Sequence, residues 1–397
     1  MMLVAVILMD LLTGMEFDLF VPSFPELQTH FGLTPFWVEA LLSANFIGYC
    51  LSLFCVGSLA DRYGRKPIIL SGLLIFLIGS VMCVVGISYP FLLVGRFLQG
   101  IGIAAPAILS FLIIADAYSL KKQQFFMAML NGAMNISVGI APVIGSYIAL
   151  YFQWRGNFAL LLALGIIVLL MAVFFVPTAQ PMAQKEVLSW RGYLPLFQSK
   201  PLMLLLVNVV LMLVPYWIFV GMSPLLYMKN LGVSLAHFGY YQGVLAVTFA
   251  LGSIGFGLVM HRYAQKKLLS LAGILYMFSF IAIAGITLVN SHSPLLITLA
   301  LLLFTISQII PSTLLGPLCL NLISHAKARA AAMLQAFRLI ATALSLQLAG
   351  YYYQGTFRSI GVIMLVFIAM LIITHFLVVR NRVLMSFASD TTDAENS

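Results

Sequence analysis

Five ionisable side chains stand inside long apolar stretches of this 397-residue chain: Asp10, Glu16, Asp18, Arg96 and Arg338. A charge in a hydrocarbon setting costs roughly 2.5–3.5 kcal/mol unless it is paired or faces water, so each marks a place where ions, protons or a charged ligand are handled. Desolvation favours the protonated form of a carboxyl, and a neighbouring arginine favours the charged form. A carboxyl poised between those influences can bind a proton in one conformation and release it in another. An arginine cannot lose its proton, so Arg96 and Arg338 each need a carboxylate, a helix-end carbonyl or an anionic ligand. Arg338 fits two roles, counter-charge for an anionic ligand or tie between two parts of the fold.

The three acids share one expected helix. Asp10 and Asp18 are about 80° apart around an ideal helix and about 12 Å apart along it, so both can face one cavity at different depths. Asp10 also lies close to the chain start, where cytoplasmic water is an equal alternative. Glu16 is about 160° from Asp18 and about 120° from Asp10. The three cannot share a narrow face unless the helix yields, and Gly14 offers the place. Amides inside apolar runs, Asn45, Asn131, Asn135, Gln242 and Gln308, face either a cavity or a helix partner. Tyr216 and Trp217 add aromatic surface for a drug-sized ligand.

The elements that carry these groups are membrane spans. Hydrophobic residues make up 62% of the chain and charged residues 8%, against about 25% charged in soluble domains. Apolar runs of spanning length lie at 2–23, 36–60, 67–87, 90–115, 124–150, 156–177, 201–227, 236–260, 267–289, 294–319, 328–353 and 356–380. The first lacks a basic leader and cleavage site, so it is read as a retained span. Residues 178–200 form a polar linker between an N-terminal bundle, 1–177, and a C-terminal bundle, 201–380; a tail follows at 381–397. With both termini in the cytoplasm, fifteen Lys and Arg fall on inner loops and the tail and three on outer loops. This positive-inside bias accounts for the net charge of +9 without a nucleic-acid partner. Cys50, Cys55, Cys83 and Cys319 lie in apolar runs without metal-ligand spacing, so no metal is expected.

The halves echo each other. Gly57, Arg62, Tyr63 and Lys66 recur two hundred residues later as Gly257, Arg262, Tyr263 and Lys266. Such a repeat suits two parallel bundles with a binding site between them near the membrane midplane.

The run Gly57-Ser-Leu-Ala-Asp61-Arg62-Tyr63-Gly64-Arg65-Lys66 resembles the loop signature of the major facilitator superfamily. Gly57 would admit a close neighbour, Gly64 would permit a tight reversal, and the charges would fasten an inner gate. The resemblance assigns Asp116 to the same cluster. Phe17-Asp18-Leu-Phe-Val-Pro22-Ser-Phe-Pro25 and Arg96-Phe-Leu-Gln-Gly100 resemble stretches of the Bcr/CflA drug transporters within it. Gly139, Pro142 and Gly145 match the fifth-span antiporter motif, with Ala141 and Ser146 in place of glycines.

The resemblance implies an all-α membrane protein with twelve transmembrane helices in two pseudo-symmetric six-helix bundles. It implies a proton-coupled secondary transporter, an efflux antiporter of drugs or small organic compounds working by alternating access in the bacterial inner membrane. Asp18, at the family's acidic position, is the leading proton carrier, ahead of Asp10 and Glu16, with Arg96 as its switchable partner. The expected partners are a small-molecule substrate, protons and the lipid bilayer, with a monomer sufficient and no cofactor. Two other readings stay open: the same fold moving a native metabolite such as a siderophore or peptide, and a non-transporting sensor or assembly factor. No hydrolase triad, nucleotide loop or metal cluster speaks for an enzyme.

Overall fold

The computed structural model describes residues 1–118, 120–178, 194–260, 263–322 and 327–385. Apolar runs flanked by helix punctuation become long helices. α1 spans Met2–Asp18 and ends where Val21–Ser23, carrying Pro22, forms a short 3₁₀ turn; α2 is Phe24–Phe31. α3 (Pro35–Tyr63), α4 (Arg65–Val85) and α5 (Tyr89–Ala117) follow. Proline opens α3 and the first turn of α5, where its missing N–H costs nothing. Gly64, at φ 90°, makes the reversal between α3 and α4 that its sequence position predicts.

α6 runs from Leu120 to Phe175 but is divided at Gln153, whose φ of 58° turns the chain back across the membrane. α7 is the short Leu194–Gln198. α8 (Lys200–Pro224) continues as a π turn over Leu225–Asn230, then come α9 (Leu235–Val259), α10 (Gln265–Leu288), α11 (Pro294–Asn321), α12 (Lys327–Tyr352) and α13 (Phe357–Arg380). Ten helices among the described residues are long and apolar enough to span a membrane, with Gly132–Phe175 taken as one. Counting its two arms separately and adding α1 gives the twelve crossings that the sequence predicts. Most of the expected linker lies outside the described residues, as do His261, Arg262 and residues 386–397.

α1 and α3 to α6 pack as one bundle and α8 to α13 as the other. The bundles meet along two pseudo-symmetric seams, α3 against α12 and α6 against α9. On the side away from the chain termini, the far side, both seams are tight. A Cβ on Gly350 would lie 2.9 Å from Phe36 Cα, and one on Gly239 would lie 2.7 Å from Val143 Cα. The hydroxyls of Tyr147 and Tyr240 meet at 2.7 Å across the second seam. On the near side, Gly57, Gly132 and Gly257 have no described atom within 4 Å of where a Cβ would stand. Gly57 therefore receives no close helix in this state, contrary to the sequence expectation. The far side is closed and the near side parted.

Candidate functional site

Between the bundles lies a cavity of about 210 Å³. α1 and α3 contribute Phe17, Phe46 and Tyr49, α8 contributes Tyr216 and Trp217, and α12 contributes Arg338. Gln308 and Thr305 of α11 supply part of the polar wall. The rings pack on one another: Phe17–Phe46 and Phe46–Trp217 centroids are each 5.1 Å apart, and Tyr216–Trp217 6.0 Å. Edge and tilted packing of this kind gives a stiff apolar wall. The half-buried Arg338 makes no ion pair with any described carboxylate. Aromatic lining and a few convergent polar groups suit a small organic ligand.

Beside this cavity α1, α3 and α5 build a fully buried charge cluster. Arg96 Nη1 lies 2.8 Å from Glu16 Oε1, and both side chains have zero exposure. The same Nη1 donates to Gln99 Oε1 at 2.6 Å, and Gln99 Nε2 donates to Ser80 Oγ at 2.8 Å. Asn45 Nδ2 donates to Glu16 Oε1 at 2.6 Å and to the Arg96 carbonyl at 3.1 Å. Phe20, in the break after α1, places its ring 4.0 Å from the guanidinium. The contact is single-pronged, since Glu16 Oε2 and Arg96 Nη2 have no hydrogen-bond partner. A one-pronged pair is less specific and more easily parted than a bidentate one.

This corrects the expected pairing. Arg96 holds Glu16 and not Asp18, because α5 meets the face of α1 that bears Glu16. Asp18 is 3% exposed, and its Oδ1 has no hydrogen-bond partner. Asp10 is buried inside the protein, not in water at the chain start: Ser110 Oγ of α5 donates to its Oδ1 at 3.0 Å, while Oδ2 is unpartnered. Gly14 is not a hinge. α1 runs straight through it, and a Cβ there would stand 2.8 Å from Met134 O of α6. The glycine serves close helix approach.

At the near side, Arg65 Nε lies 2.5 Å from Asp116 Oδ2, and Nη2 donates to Oδ1 at 3.1 Å. This bidentate contact ties the start of α4 to the end of α5. Lys66 Nζ donates to the Val173 carbonyl at 2.8 Å, and Arg62 stacks 5.1 Å from the Tyr63 ring. Asp61 is exposed and stands outside the Arg65–Asp116 pair.

Of the antiporter-motif residues, Gly139 and Pro142 sit at the α6–α9 seam and Gly145 packs against the end of α1. Gly139 faces Ala246 and Val247, the Pro142 carbonyl is 2.8 Å from a Cβ built on Gly239, and Gly145 abuts the Leu19 carbonyl. Ser146, where the motif has glycine, faces Gly239, so the small residue has moved to the partner helix.

Of the other residues singled out in the sequence, Tyr216, Trp217, Gln308 and Arg338 line the cavity. Gln308 also donates to the Met212 carbonyl. Asn45 belongs to the buried charge cluster instead. Gln242 does not line it either: its amide donates to Val220 O at 2.9 Å and Ser223 Oγ at 2.8 Å, tying α9 to α8. The Asn131 and Asn135 side chains lie outside the described residues. Sequence reasoning quoted Gln99 and Phe17 only as motif residues and missed Ser80, Phe46 and Tyr49. It also missed Glu39, a carboxylate with zero exposure near the start of α3, although the expected span 36–60 contains it.

On the far side, Glu26 of α2 accepts from the Trp154 amide at 2.8 Å and caps the second arm of α6. Its carboxyl is raised above the ordinary range by burial, partly offset by that hydrogen bond.

The family model of the Major Facilitator Superfamily matches residues 6–346. Similar curated proteins include the multidrug resistance protein MdtL of Klebsiella pneumoniae, 24% identical over 67% of this chain and 68% of that protein. MdtL of Shewanella oneidensis is 28% identical over 64% of each, and that of Citrobacter koseri 29% identical over 58% of each. The chain thus spans 58–68% of the length of these three relatives in its matches. Among solved structures, an inward-facing bacterial homolog of the human lysosomal transporter Spinster aligns with TM-score 0.75 at 15% identity, over 94% of this chain and 95% of that one. A D-xylose–proton symporter aligns with TM-score 0.72 at 15% identity, over 93% and 96%.

Proposed function

The chain belongs to the Major Facilitator Superfamily, and we propose that it is a proton-coupled exporter of drugs or other small organic compounds. It works by alternating access in the bacterial inner membrane with both termini in the cytoplasm. The near side is then cytoplasmic and the conformation inward-facing. The two bundles, residues 1–177 and 201–380, rock about the central cavity, with 178–200 as linker and 381–397 as tail. The chain acts as a monomer without a cofactor. The motif resemblance supports a Bcr/CflA-like subtype, and the MdtL relatives support drugs as cargo.

The observation that carries this reading is the charge arrangement beside the cavity. Glu16 and Arg96 neutralise each other, whereas Asp18 and Asp10 lie buried without a cation in salt-bridge contact among the described residues. A bare carboxylate there is expensive, and taking a proton removes the expense. Asp18 is the principal carrier and Asp10 the second. Substrate enters from the cytoplasm, stacks on the ring wall and presents an acceptor or anionic group to Arg338. Its arrival alters the field at Asp18, which sits next to the cavity-lining Phe17, and the proton leaves inward.

The driving force is sufficient. A charge crossing 100 mV yields about 2.3 kcal/mol, and each pH unit adds about 1.4 kcal/mol. One proton can therefore support a gradient of order 10²-fold. Transport assays in inverted vesicles, with and without an imposed pH gradient, test the proposal. Accumulation that collapses with the gradient supports it, and accumulation indifferent to the gradient refutes it.

A further inference from the structure

Glu39 lies two turns above the ion-pair cluster, in the first turns of α3, with zero exposure. Neither of its carboxyl oxygens has a hydrogen-bond partner. It occupies the point where three helices from both bundles meet. Gly221 of α8 lies directly against it: a Cβ there would run into Oε2 and stand 3.0 Å from Cδ. The same hypothetical Cβ would be 2.6 Å from Leu346 of α12. One turn along α3, Ser43 Oγ donates to the Ala343 carbonyl of α12 at 3.1 Å and lies 2.9 Å from the Gln347 amide. Glu39 is therefore enclosed by closure of the far-side seam, and among the described residues no cation is in salt-bridge contact with it.

The charged and titratable groups of the surrounding elements are engaged elsewhere or distant. Arg96 of α5 is held by Glu16 and reaches α3 only through the Leu41 carbonyl at 3.4 Å. Arg338 of α12 lies about two turns nearer the cytoplasm than Leu346 and lines the cavity. α8 carries one charged residue, Lys200 at its opposite end. In α2, Glu26 is bound to the Trp154 amide and His30 packs on Trp154 at 5.6 Å. Lys229, in the turn after α8, donates to Gln28 Oε1 at 2.8 Å. Tyr89 of α5 donates to the Trp37 carbonyl at 2.8 Å, and Tyr216 of α8 lines the cavity.

We propose that Glu39 is a second proton-binding site, one that latches the outer gate: the far-side seam closes over the protonated carboxyl and opens when the proton is lost to the outside. The inference rests on the inward-facing, proton-coupled reading above. Burying a lone carboxylate between two bundles is unfavourable, and a proton from the outer medium removes that obstacle. After releasing its cargo outside, the carrier can then return only once Glu39 has been loaded. The latch would tie the return step to external acidity, separately from the carboxyls beside the cavity. Gly221 is the complementary feature, leaving room for the neutral acid where any side chain would intrude.

The test measures the seam itself. Spin labels at Thr34 and Tyr351, at the far ends of α3 and α12, are placed in a variant whose four cysteines are replaced. The protein is reconstituted in lipid nanodiscs without substrate, and double electron–electron resonance gives the closed and open populations from pH 5 to pH 9. The background carries Asp18→Asn, so that titration at the cavity does not contribute. A single-proton latch makes the closed-to-open ratio fall by up to about tenfold per pH unit through its transition. Glu39→Gln should hold the seam closed across the whole range, and Gly221→Ala should favour the open state throughout. A ratio independent of pH with Glu39 present, or an unchanged pH response in Glu39→Gln, overturns the proposal. Proton-driven transport in vesicles is scored separately, so a failed latch and a failed exporter assignment give different results.

Discussion

Glu16 Oε1 and Arg96 Nη1 form a 2.8 Å ion pair with zero exposure on either side, while Asp18, two residues further along, has no ion-pair partner among the described residues. Two carboxyls on nearly opposite faces of one helix end thus have opposite electrostatic settings. One carboxyl is paired with a buried cation and the other is buried without one among the described residues. Removing one member of a buried pair leaves the other charged and stranded, at a cost of about 3–5 kcal/mol.

Glu16→Gln should therefore lower the melting temperature in detergent sharply and reduce transport with it. Arg96→Lys should lose most transport, since an ammonium cannot keep Glu16, Gln99 and the Leu41 carbonyl at once. The double variant Glu16→Gln with Arg96→Gln should regain much of the lost melting temperature without regaining transport. Thermal unfolding beside vesicle transport distinguishes these outcomes. Wild-type stability in Glu16→Gln would mean that the pair is dispensable to the fold.

The near-side pair calls for a different expectation. Asp116 has a side-chain exposure of 46%, so water screens its attraction to Arg65, and such a pair contributes only about 0–1 kcal/mol. Asp116→Asn should shift the melting temperature little. It should slow exchange between inward and outward states, because the start of α4 and the end of α5 would no longer move together. The charge exchange Arg65→Asp with Asp116→Arg should recover part of the rate. Single-molecule distance measurements supply the readout, and unchanged exchange in Asp116→Asn would separate this pair from gating. Asp61→Asn should have the smaller effect in this state, where Asp61 is exposed outside the pair.

Arg338 lines the cavity, and the proposed role of sensing the ligand by its charge has a direct test. Arg338→Gln should weaken binding of compounds with an anionic or strong acceptor group by about tenfold or more, the loss of one charge-assisted hydrogen bond of about 1.5–3 kcal/mol. Binding of neutral aromatic compounds should change much less, since the ring wall is intact. Quenching of Trp217 fluorescence, with the other three tryptophans replaced, reports both. Equal losses for both ligand classes would assign Arg338 to joining the halves instead.

The crossings and the near-side turn were legible because they depend on quantities local in sequence: apolar length and a glycine at positive φ. Partner choice was not local. Angular spacing on α1 showed that Glu16 and Asp18 cannot both face one neighbour, but it could not say which face meets α5. That depends on where α1 stops, at Asp18, and on Gly48 and Gly100, which bring α3 and α5 close enough for Asn45 to join the cluster. Gly14 looked like a weak point in isolation and is a contact point once α6 is beside it. Glu39 escaped notice because a carboxyl four residues inside a span resembles a boundary residue until the seam buries it.

Asp18 and Asp10 supply the last expectation. Asp18→Asn imitates the protonated acid, so it should abolish uphill transport driven by a pH gradient while retaining substrate binding. Binding to the wild type should weaken as the medium is acidified if proton and substrate compete, and in Asp18→Asn that pH dependence should flatten. Asp10 already accepts a hydrogen bond from Ser110, which partly satisfies its charged form. Asp10→Asn should accordingly reduce the proton-driven rate without eliminating it, and Ser110→Ala should shift its pH profile toward alkaline values, because the charged acid loses its donor. Binding at two pH values, with gradient-driven uptake in inverted vesicles for all three variants, measures each effect. Retained uphill transport in Asp18→Asn would move the principal proton site to Asp10, whose own variant should then be inactive.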